Sequence, residues 1–269
     1  MPYEPVPICD CLLLLATGAE EAALKAVARE RGLRLTGRTD ETLGRHHRLH
    51  RGNDLLAVAV RTEMGSVGPS GSSVMAWRFV SATQAATIVQ VGMAFGVSPT
   101  LQKIGDVLVA RSLLAYDQRD IGTTRKRILG ISLPWTAEAV TYPRVEPMMA
   151  NPSLVARCER YLAAWEATYP DVPVRFGAIL SGGAAITCTS FRDRLWRDLQ
   201  PNSNEPIVGG EMEAVGLVGV STAPQTDSTW GVIKGISDFA DDNRHADLRR
   251  SRTIACTNAV RFALGAVLD

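Results

Sequence analysis

Buried strands and amphipathic helices alternate along most of this chain, and that alternation limits the fold more than any other feature. Residues 8–16 form an apolar run typical of a buried strand, and residues 20–31 follow with the apolar period of a helix. Further strands are predicted at 55–60, 86–91, 106–115, 175–180 and 232–236, and helices up to 84 and at 152–169, 191–199, 211–220 and 246–267. Such alternation predicts an α/β fold with a mostly parallel sheet and helices on both faces.

The length of the chain, 269 residues, is sufficient for one large core. We therefore predict a single domain over residues 1–269. Residues 117–150 combine mixed polar side chains with no clear period, which indicates an insertion or a long loop within that domain.

Charge and apolar patterning exclude two broad classes of partner. Lysine and arginine number 29 against 28 for aspartate and glutamate, so the basic excess expected of a nucleic-acid-binding protein is absent. No apolar run approaches the roughly 20 residues of a membrane helix, and we expect no membrane partner. The five cysteines are an odd number without the spacing of a zinc site, which favours reduced thiols in a cytoplasmic protein.

Two clusters of basic side chains have a structural and a functional interpretation. His46, His47 and His50 lie in an arginine-rich stretch without nearby carboxylates, which favours a solvated face over a metal site. The basic run from Arg119 to Arg127 is typical of solvated surface, although it can also cover substrate phosphates. We predict no metal ion and no cofactor.

Acidic residues lie beside buried segments in the last third of the chain. Glu211 and Glu213 border a run of small apolar residues, and Ser237-Asp238 ends a predicted strand. Carboxylates at the edge of a core are costly unless they are used. A ribose uses such a pair, because one carboxylate can accept both of its hydroxyls while another serves the leaving base. Ligands of parallel sheets bind at the carboxyl ends of the strands, where these residues are predicted to lie.

Three further segments at predicted strand ends allow alternatives. Glu20, in the first turn of a helix, either complements the helix dipole or acts as a general base that orients a water. The loop of residues 65–73 either presents backbone amides to an anion or a ribose hydroxyl, or is a flexible loop with an N-cap. It lacks the Gly-Lys-Ser/Thr ending of a Walker loop. Small residues in 92–96 allow a flat ligand to approach the backbone closely.

In chain order, these segments are Ala16-Thr-Gly-Ala-Glu20, Gly92-Met-Ala-Phe-Gly96 with Lys103-Ile-Gly-Asp-Val107, Leu180-Ser-Gly-Gly183, Glu211-Met-Glu213 and Gly235-Ile-Ser-Asp238. The set resembles the purine nucleoside phosphorylase and 5′-methylthioadenosine/S-adenosylhomocysteine nucleosidase superfamily, over about residues 8–240. The resemblance implies a three-layer α/β/α sandwich around a central mixed sheet, and a homo-oligomer, either a dimer or a hexamer.

The resemblance also implies roles for particular residues. Glu213 matches the acid that grips the ribose hydroxyls, and Met212 matches the residue that packs on the sugar. Asp238 matches the acid that serves purine N7, with Ser237 orienting it, and Glu20 matches the carboxylate that activates water. The remaining predicted substrate-binding residues are Gly65, Met93, Ala94, Phe95, Ala185, Ile186, Glu211 and Phe239.

Departures from the family pattern favour water over phosphate as the nucleophile. Hexameric phosphorylases place arginines in the first loop and just before the Gly92 motif, and a serine within it. Here the first loop has no arginine, and the other two positions are Gln90 and Met93. A phosphate dianion without cationic partners is poorly held. The position of the base-stacking aromatic is Ala185, so stacking falls to Phe95 or Phe239.

We therefore predict an N-glycosidase that hydrolyses a purine nucleoside or nucleotide, with adenine the favoured base. The basic run at 119–127 suggests a phosphorylated substrate such as AMP or ATP. Two alternatives remain at this point. One is a phosphorolytic enzyme with an unconventional phosphate pocket, and the other is a module that senses nucleotides without turnover.

Overall fold

A computed structural model describes residues 4–269 apart from 129–130, 143–144, 224–227 and 243–246. The side chains of residues 125–128 and 132–138 also lie outside the described part. The predicted role of the basic run therefore falls largely outside it, because only Arg119 of its four cations has a described side chain.

Strands and helices alternate as the sequence predicts. In chain order the elements are β1 (Cys11–Leu15), α1 (Gly18–Glu30), β2 (Arg34–Asp40), β3 (Gly44–Arg51), β4 (Asp54–Arg61), α2 (Ser72–Thr83), β5 (Thr87–Gly96), β6 (Val107–Ala115), β7 (Asp120–Ile128), β8 (Ile131–Thr141), β9 (Met148–Met149), α3 (Pro152–Thr168), β10 (Val174–Ser181), α4 (Thr189–Leu199), β11 (Ile207–Glu211), α5 (Val215–Ser221), β12 (Thr229–Asp238) and α6 (Leu248–Leu268).

The central sheet is mixed, as the resemblance implies. Its strand order is β11-β10-β6-β12-β5-β1-β4-β3-β2, with β9 paired to β6. β5, β1 and β4 run parallel, as do β5 and β12, and β6, β10 and β11. The β12–β6 pair and the β2–β3–β4 meander are antiparallel. β11 also pairs with the end of β5, so the sheet curls back on itself at that edge.

Alternating side chains of the central strands fill two separate cores. Leu13 of β1 faces a core shared with α1, α3 and α6, whereas Leu12 and Leu14 face a core shared with α2 and α5. Successive strand residues point to opposite faces, so a strand that is apolar throughout is buried on both sides. The predicted three-layer α/β/α sandwich is confirmed.

Two local expectations were wrong or incomplete. The helix predicted from residue 211 begins at Val215, because residues 207–211 form β11 between β10 and β5. This strand requires glycine at position 210, because a Cβ there would lie 2.2 Å from the Phe95 ring of β5. Within residues 117–150, expected as an insertion or a long loop, residues 120–128 and 131–141 form the paired strands β7 and β8. These strands pair with each other and lack the apolar period of a core strand.

The predicted solvated histidine face is also wrong. Residues 34–51 form two antiparallel strands, and His46 and His47 on β3 are 0% and 4% exposed. Buried His47 is paired with a carboxylate, because its Nε2 lies 2.9 Å from Glu21 Oε1. No group of three or more His, Cys, Asp or Glu side chains in the described ranges is arranged to hold a metal ion. Within those ranges, no helix has the length and apolar character to cross a membrane.

Candidate active site

A cavity of about 360 Å³ opens where β1, β5, β11 and β12 reach their carboxyl ends. Its walls come from segments far apart in sequence: the start of α1, the end of β5, the loop after β10, and the residues that follow β11 and end β12. This is the edge at which sheets with parallel strands bind ligands, and the volume suits a small molecule.

Most of the residues predicted for the site line this one cavity. They are Glu20, Met93, Ala94, Phe95, Ala185, Ile186, Glu211, Met212, Glu213, Ser237 and Asp238. Gly65 and Phe239 are not among its lining residues. Gly65 instead donates its backbone N–H to Glu213, and Phe239 packs against the backbone at Gly96. Of the two predicted stacking residues, only Phe95 borders the cavity.

Glu20 is buried at the start of α1 and held by three backbone donors. Its Oε2 accepts from the N–H groups of Ala16 at 2.5 Å and Thr17 at 2.9 Å, and its Oε1 accepts from Met93 at 3.0 Å. Thr17 completes a capping box by accepting from the Glu20 N–H. Burial raises the pKa of Glu20; Lys234 opposes the shift and Glu213 adds to it. A carboxylate with a raised pKa is a stronger base near neutral pH.

The close approach of Glu20 to β5 requires glycine at position 92. A Cβ there would lie 2.0 Å from Glu20 Oε1 and 2.5 Å from its Cδ. We expect Gly92→Ala to displace the Glu20 carboxylate and to lower kcat by about 100-fold, because small misplacement of a catalytic group is costly. Steady-state kinetics with thermal unfolding checks this. Gly122→Ala, at a strand glycine with no atom within 4 Å of the added carbon, is the matched control. Equal activity of the two variants would contradict the expectation.

A buried lysine joins Glu211, the last residue of β11, to Glu213, which follows that strand. Lys234 of β12 is 0% exposed, and its Nζ lies 3.1 Å from Glu213 Oε2 and 3.3 Å from Glu211 Oε2. Glu211 also accepts the N–H groups of Glu213 and Ala214 at 3.0 Å. These bonds fix the turn between β11 and α5, so Glu213 is presented to the cavity in one orientation.

The pKa values of the two glutamates in this cluster are shifted in opposite directions. Burial alone would raise the pKa of Glu213, but the Lys234 ammonium and the hydrogen bonds of Glu213 with Lys234, Glu211 and the Gly65 N–H together hold that pKa below its usual value. Burial raises the pKa of Glu211, with Lys234 opposing and Glu213 adding to the shift. Burial would lower the pKa of Lys234, yet Glu213, Glu211 and Glu20 together raise it. Glu213 is therefore an ionised acceptor beside a protonated lysine.

Asp238 is 8% exposed at the end of β12 and is oriented through both oxygens. Ser237 Oγ donates to Oδ2 at 2.9 Å, and the Ala240 N–H donates to Oδ1 at 2.9 Å. Parallel pairing of β12 with β5 places this carboxyl beside Phe95, its register partner. An acid fixed in this way can serve a single acceptor atom of a ligand.

Sequence reasoning missed several residues of the site. Thr17, Gly18, Ala19, Met64, Ala184, Gly210 and Arg252 also line the cavity. Lys234 had a signal, since it is the one charged residue in the apolar run 230–236. No sequence signal marks Arg252, because it follows Arg249 and Arg250 at the exposed start of α6, a pattern typical of surface residues.

Comparisons with known proteins show that this chain has a known fold. No family model and no curated protein matches the chain. Solved structures match over nearly its whole length. The 5′-methylthioadenosine/S-adenosylhomocysteine nucleosidase of Colwellia psychrerythraea 34H, in complex with adenine, is 18% identical with a TM-score of 0.70, covering 99% of this chain and 96% of that chain.

Two other structures agree. The nucleosidase of the same type from Neisseria meningitidis, in complex with methylthio-immucillin-A, is 15% identical with a TM-score of 0.68, covering 96% of this chain and 97% of that one. Futalosine hydrolase of Helicobacter pylori is 17% identical with a TM-score of 0.71, covering 97% of each chain. The chain therefore shares the fold of these hydrolases, which are the class of structure that the sequence motifs predict.

Proposed function

We propose that this protein hydrolyses the N-glycosidic bond of a purine nucleoside or nucleotide and releases the free base. One observation carries the proposal: Glu20, Glu213 and Asp238, from three distant parts of the chain, line a single cavity. Each has an environment suited to a different step of that reaction. Adenine is the favoured base, because a protein of the same fold was solved with adenine bound.

Glu213 binds the sugar in this mechanism. Its ionised carboxylate accepts hydrogen bonds from the ribose O2′ and O3′ hydroxyls, and Lys234 keeps it charged. Met212, the neighbouring residue on the cavity wall, packs against the sugar ring. Holding both hydroxyls fixes C1′ relative to the nucleophile and to the leaving base.

Asp238 serves the departing purine. As the bond between C1′ and N9 lengthens, its electron pair moves into the base, and the sugar becomes oxocarbenium-like. Asp238 donates a proton to N7, so the base leaves as a neutral molecule. Phe95 and Ile186 supply apolar walls for the purine ring.

Glu20 activates the water that completes the reaction. Its Oε2 accepts two backbone N–H groups and its Oε1 accepts one, so Oε1 keeps the freer lone pair. The water oxygen bonds to C1′ and its proton passes to Glu20. Phosphate is a poor alternative nucleophile at C1′, because the nucleophile lies beside Glu20 in this mechanism and Lys234 is already paired with Glu211 and Glu213.

Base release from a panel of substrates tests the proposal. Purified protein is incubated with purine nucleosides and nucleotides, with and without inorganic phosphate, and free base is measured by chromatography. We expect release that does not depend on phosphate and that yields the free sugar. Strict dependence on phosphate would show phosphorolysis, and tight binding without release would show a sensing module.

The pH profile of kcat/KM tests the role of Glu20 separately. The base must be ionised, so the rate falls as pH drops through the pKa of Glu20. Since burial raises that pKa above its ordinary value of 4.5, we expect the acid limb to begin above the usual glutamate range. Glu20→Gln should remove this limb together with most of the activity. A variant that kept the same limb would assign it to another group.

We further propose that the protein is a cytoplasmic homo-oligomer, a dimer or a hexamer, as the family resemblance implies. Its five cysteines are free thiols, and four of them are buried. Light scattering on purified protein measures the mass in solution, and a monomer would contradict the proposal.

A further inference from the structure

Arg252 adds a positive charge to the cavity that the reaction above does not use. It lies near the start of α6 and is half-buried. Its guanidinium Nε is buried and has no hydrogen-bond partner among the described residues. A buried donor without a partner is destabilising unless a ligand accepts from it. The position on the cavity wall therefore points to an acceptor on the substrate.

Arg252 belongs to the part of the cavity that remains once base and ribose are placed. Asp238 marks the base end, and Glu213 marks the edge of the sugar that bears O2′ and O3′. The substituent on C5′ leaves the ring in a third direction. Thr17, Gly18, Ala19, Met64 and Arg252 are among the lining residues that contact neither base nor ribose in the proposed mechanism, and we assign them to this substituent.

The first turn of α1 supplies backbone donors on the same wall. The first N–H groups of a helix lack partners within the helix. The capping box uses the N–H of Glu20, which leaves those of Gly18 and Ala19. Both residues line the cavity with Arg252, so a guanidinium and the positive end of a helix border the same space.

We propose that Arg252 is a specificity-determining residue that binds an anionic group, a phosphate or a carboxylate, on C5′ of the substrate. The inference rests on the proposed function, from which it takes the positions of base and ribose. A guanidinium offers parallel N–H donors that match the two oxygens of such a group. A neutral 5′ substituent leaves Nε unpaired, so the site discriminates against it.

Paired substrates that differ in the charge of the 5′ group test this role. AMP is compared with adenosine for phosphate, and S-adenosylhomocysteine with 5′-methylthioadenosine for carboxylate, in kcat/KM. We expect the wild-type protein to prefer the anionic member of at least one pair. Arg252→Met should reduce that preference by about 10- to 100-fold, the scale of one charge-assisted contact. Arg249→Met, at an exposed arginine of the same helix, should retain it.

A binding measurement separates this inference from the proposed function. Calorimetric titration of the same four compounds into Asp238→Asn, with and without Arg252→Met, measures affinity without requiring turnover. Weaker binding of AMP or S-adenosylhomocysteine to the double variant would support the anion subsite. If no base were released from any compound in the same series, the proposed function alone would be overturned. Base release with equal preference for charged and neutral substrates, unchanged by Arg252→Met, would overturn the subsite alone. Absence of binding and of release would overturn both.

Discussion

Replacing Asp238 with asparagine is expected to lower the rate of base release by about 100-fold or more, the scale of lost general acid catalysis. Asparagine has nearly the same shape and keeps an oxygen to accept the Ala240 N–H at Oδ1. It has no acidic proton for the leaving base, so the loss falls on kcat. Steady-state kinetics on the preferred substrate, with circular dichroism and thermal unfolding, measures the effect and checks the fold.

Asp54→Asn is the matched control, because Asp54 is an exposed carboxylate at the start of β4. We expect it to retain wild-type kinetics. Near-normal turnover of Asp238→Asn would assign the leaving-group role to another residue. If Asp238→Asn lost the folded state together with activity, Ser237→Ala would be the milder variant, because it removes the 2.9 Å bond to Oδ2 and the 3.3 Å bond to the Ala94 carbonyl and keeps the carboxylate.

Replacing Lys234 with methionine is expected to lower the free energy of unfolding by about 3–5 kcal/mol, the range for breaking a buried ion pair from one side. Without the ammonium, Glu211 and Glu213 are two buried carboxylates with no counterion in the pair. One of them must then take up a proton or draw in water. Binding of the ribose hydroxyls also weakens, so KM rises as well. Urea unfolding and steady-state kinetics measure the two effects.

The pH dependence of this loss has a definite sign. In Lys234→Met the folded-state pKa values of the two acids rise above their unfolded values. Their unfavourable contribution is therefore absent below the unfolded pKa and develops as pH rises through the folded pKa. The variant should be closest to wild-type stability in mild acid and furthest from it above neutral pH.

Two comparison variants give the ion-pair explanation a direct check. Lys103→Met removes an exposed lysine and should have little effect on stability. Lys234→Met combined with Glu211→Gln removes one of the stranded carboxylates and should recover part of the loss. A double variant no more stable than the single one would indicate that packing of the lysine stem, rather than charge, is responsible.

Regular patterns in the sequence were sufficient to predict the architecture. Strands such as β1 and β5 are buried on both faces, so they appear as continuous apolar runs between helices. β2 and β3 were missed because polar residues interrupt any apolar run: β2, the edge strand, carries arginines, and β3 beside it carries arginines and histidines. The start of the helix after β11 was misplaced because Gly209 and Gly210 give no strand pattern, and residues 207–211 form a strand through long-range pairing with β10 and β5.

The residues of the site likewise divide into those that lie in local sequence motifs and those whose role depends on long-range contacts. Glu20, Glu213 and Asp238 could be predicted because each lies in a short motif at a strand end. Lys234 and Arg252 could not be assigned a role from the sequence, since what matters is which side chains they meet. The role of Lys234 comes from its contacts with Glu211 and Glu213, which β11 and the turn after it bring close to it. The role of Arg252 comes from its place on the cavity wall, which α6 reaches only in the folded chain.

The candidate site depends on the pairing of β11 with the end of β5, two strands that are far apart in sequence. Gly209 and Gly210 pair with Gly96 and Phe95 across more than a hundred intervening residues, and Phe95 and Gly210 both line the cavity. Contacts so distant in sequence are entropically costly to close, and they are the ones that slow folding. A nascent chain that lacks β12 therefore has neither Asp238 nor Lys234, and the candidate site is completed only after that strand has been synthesised.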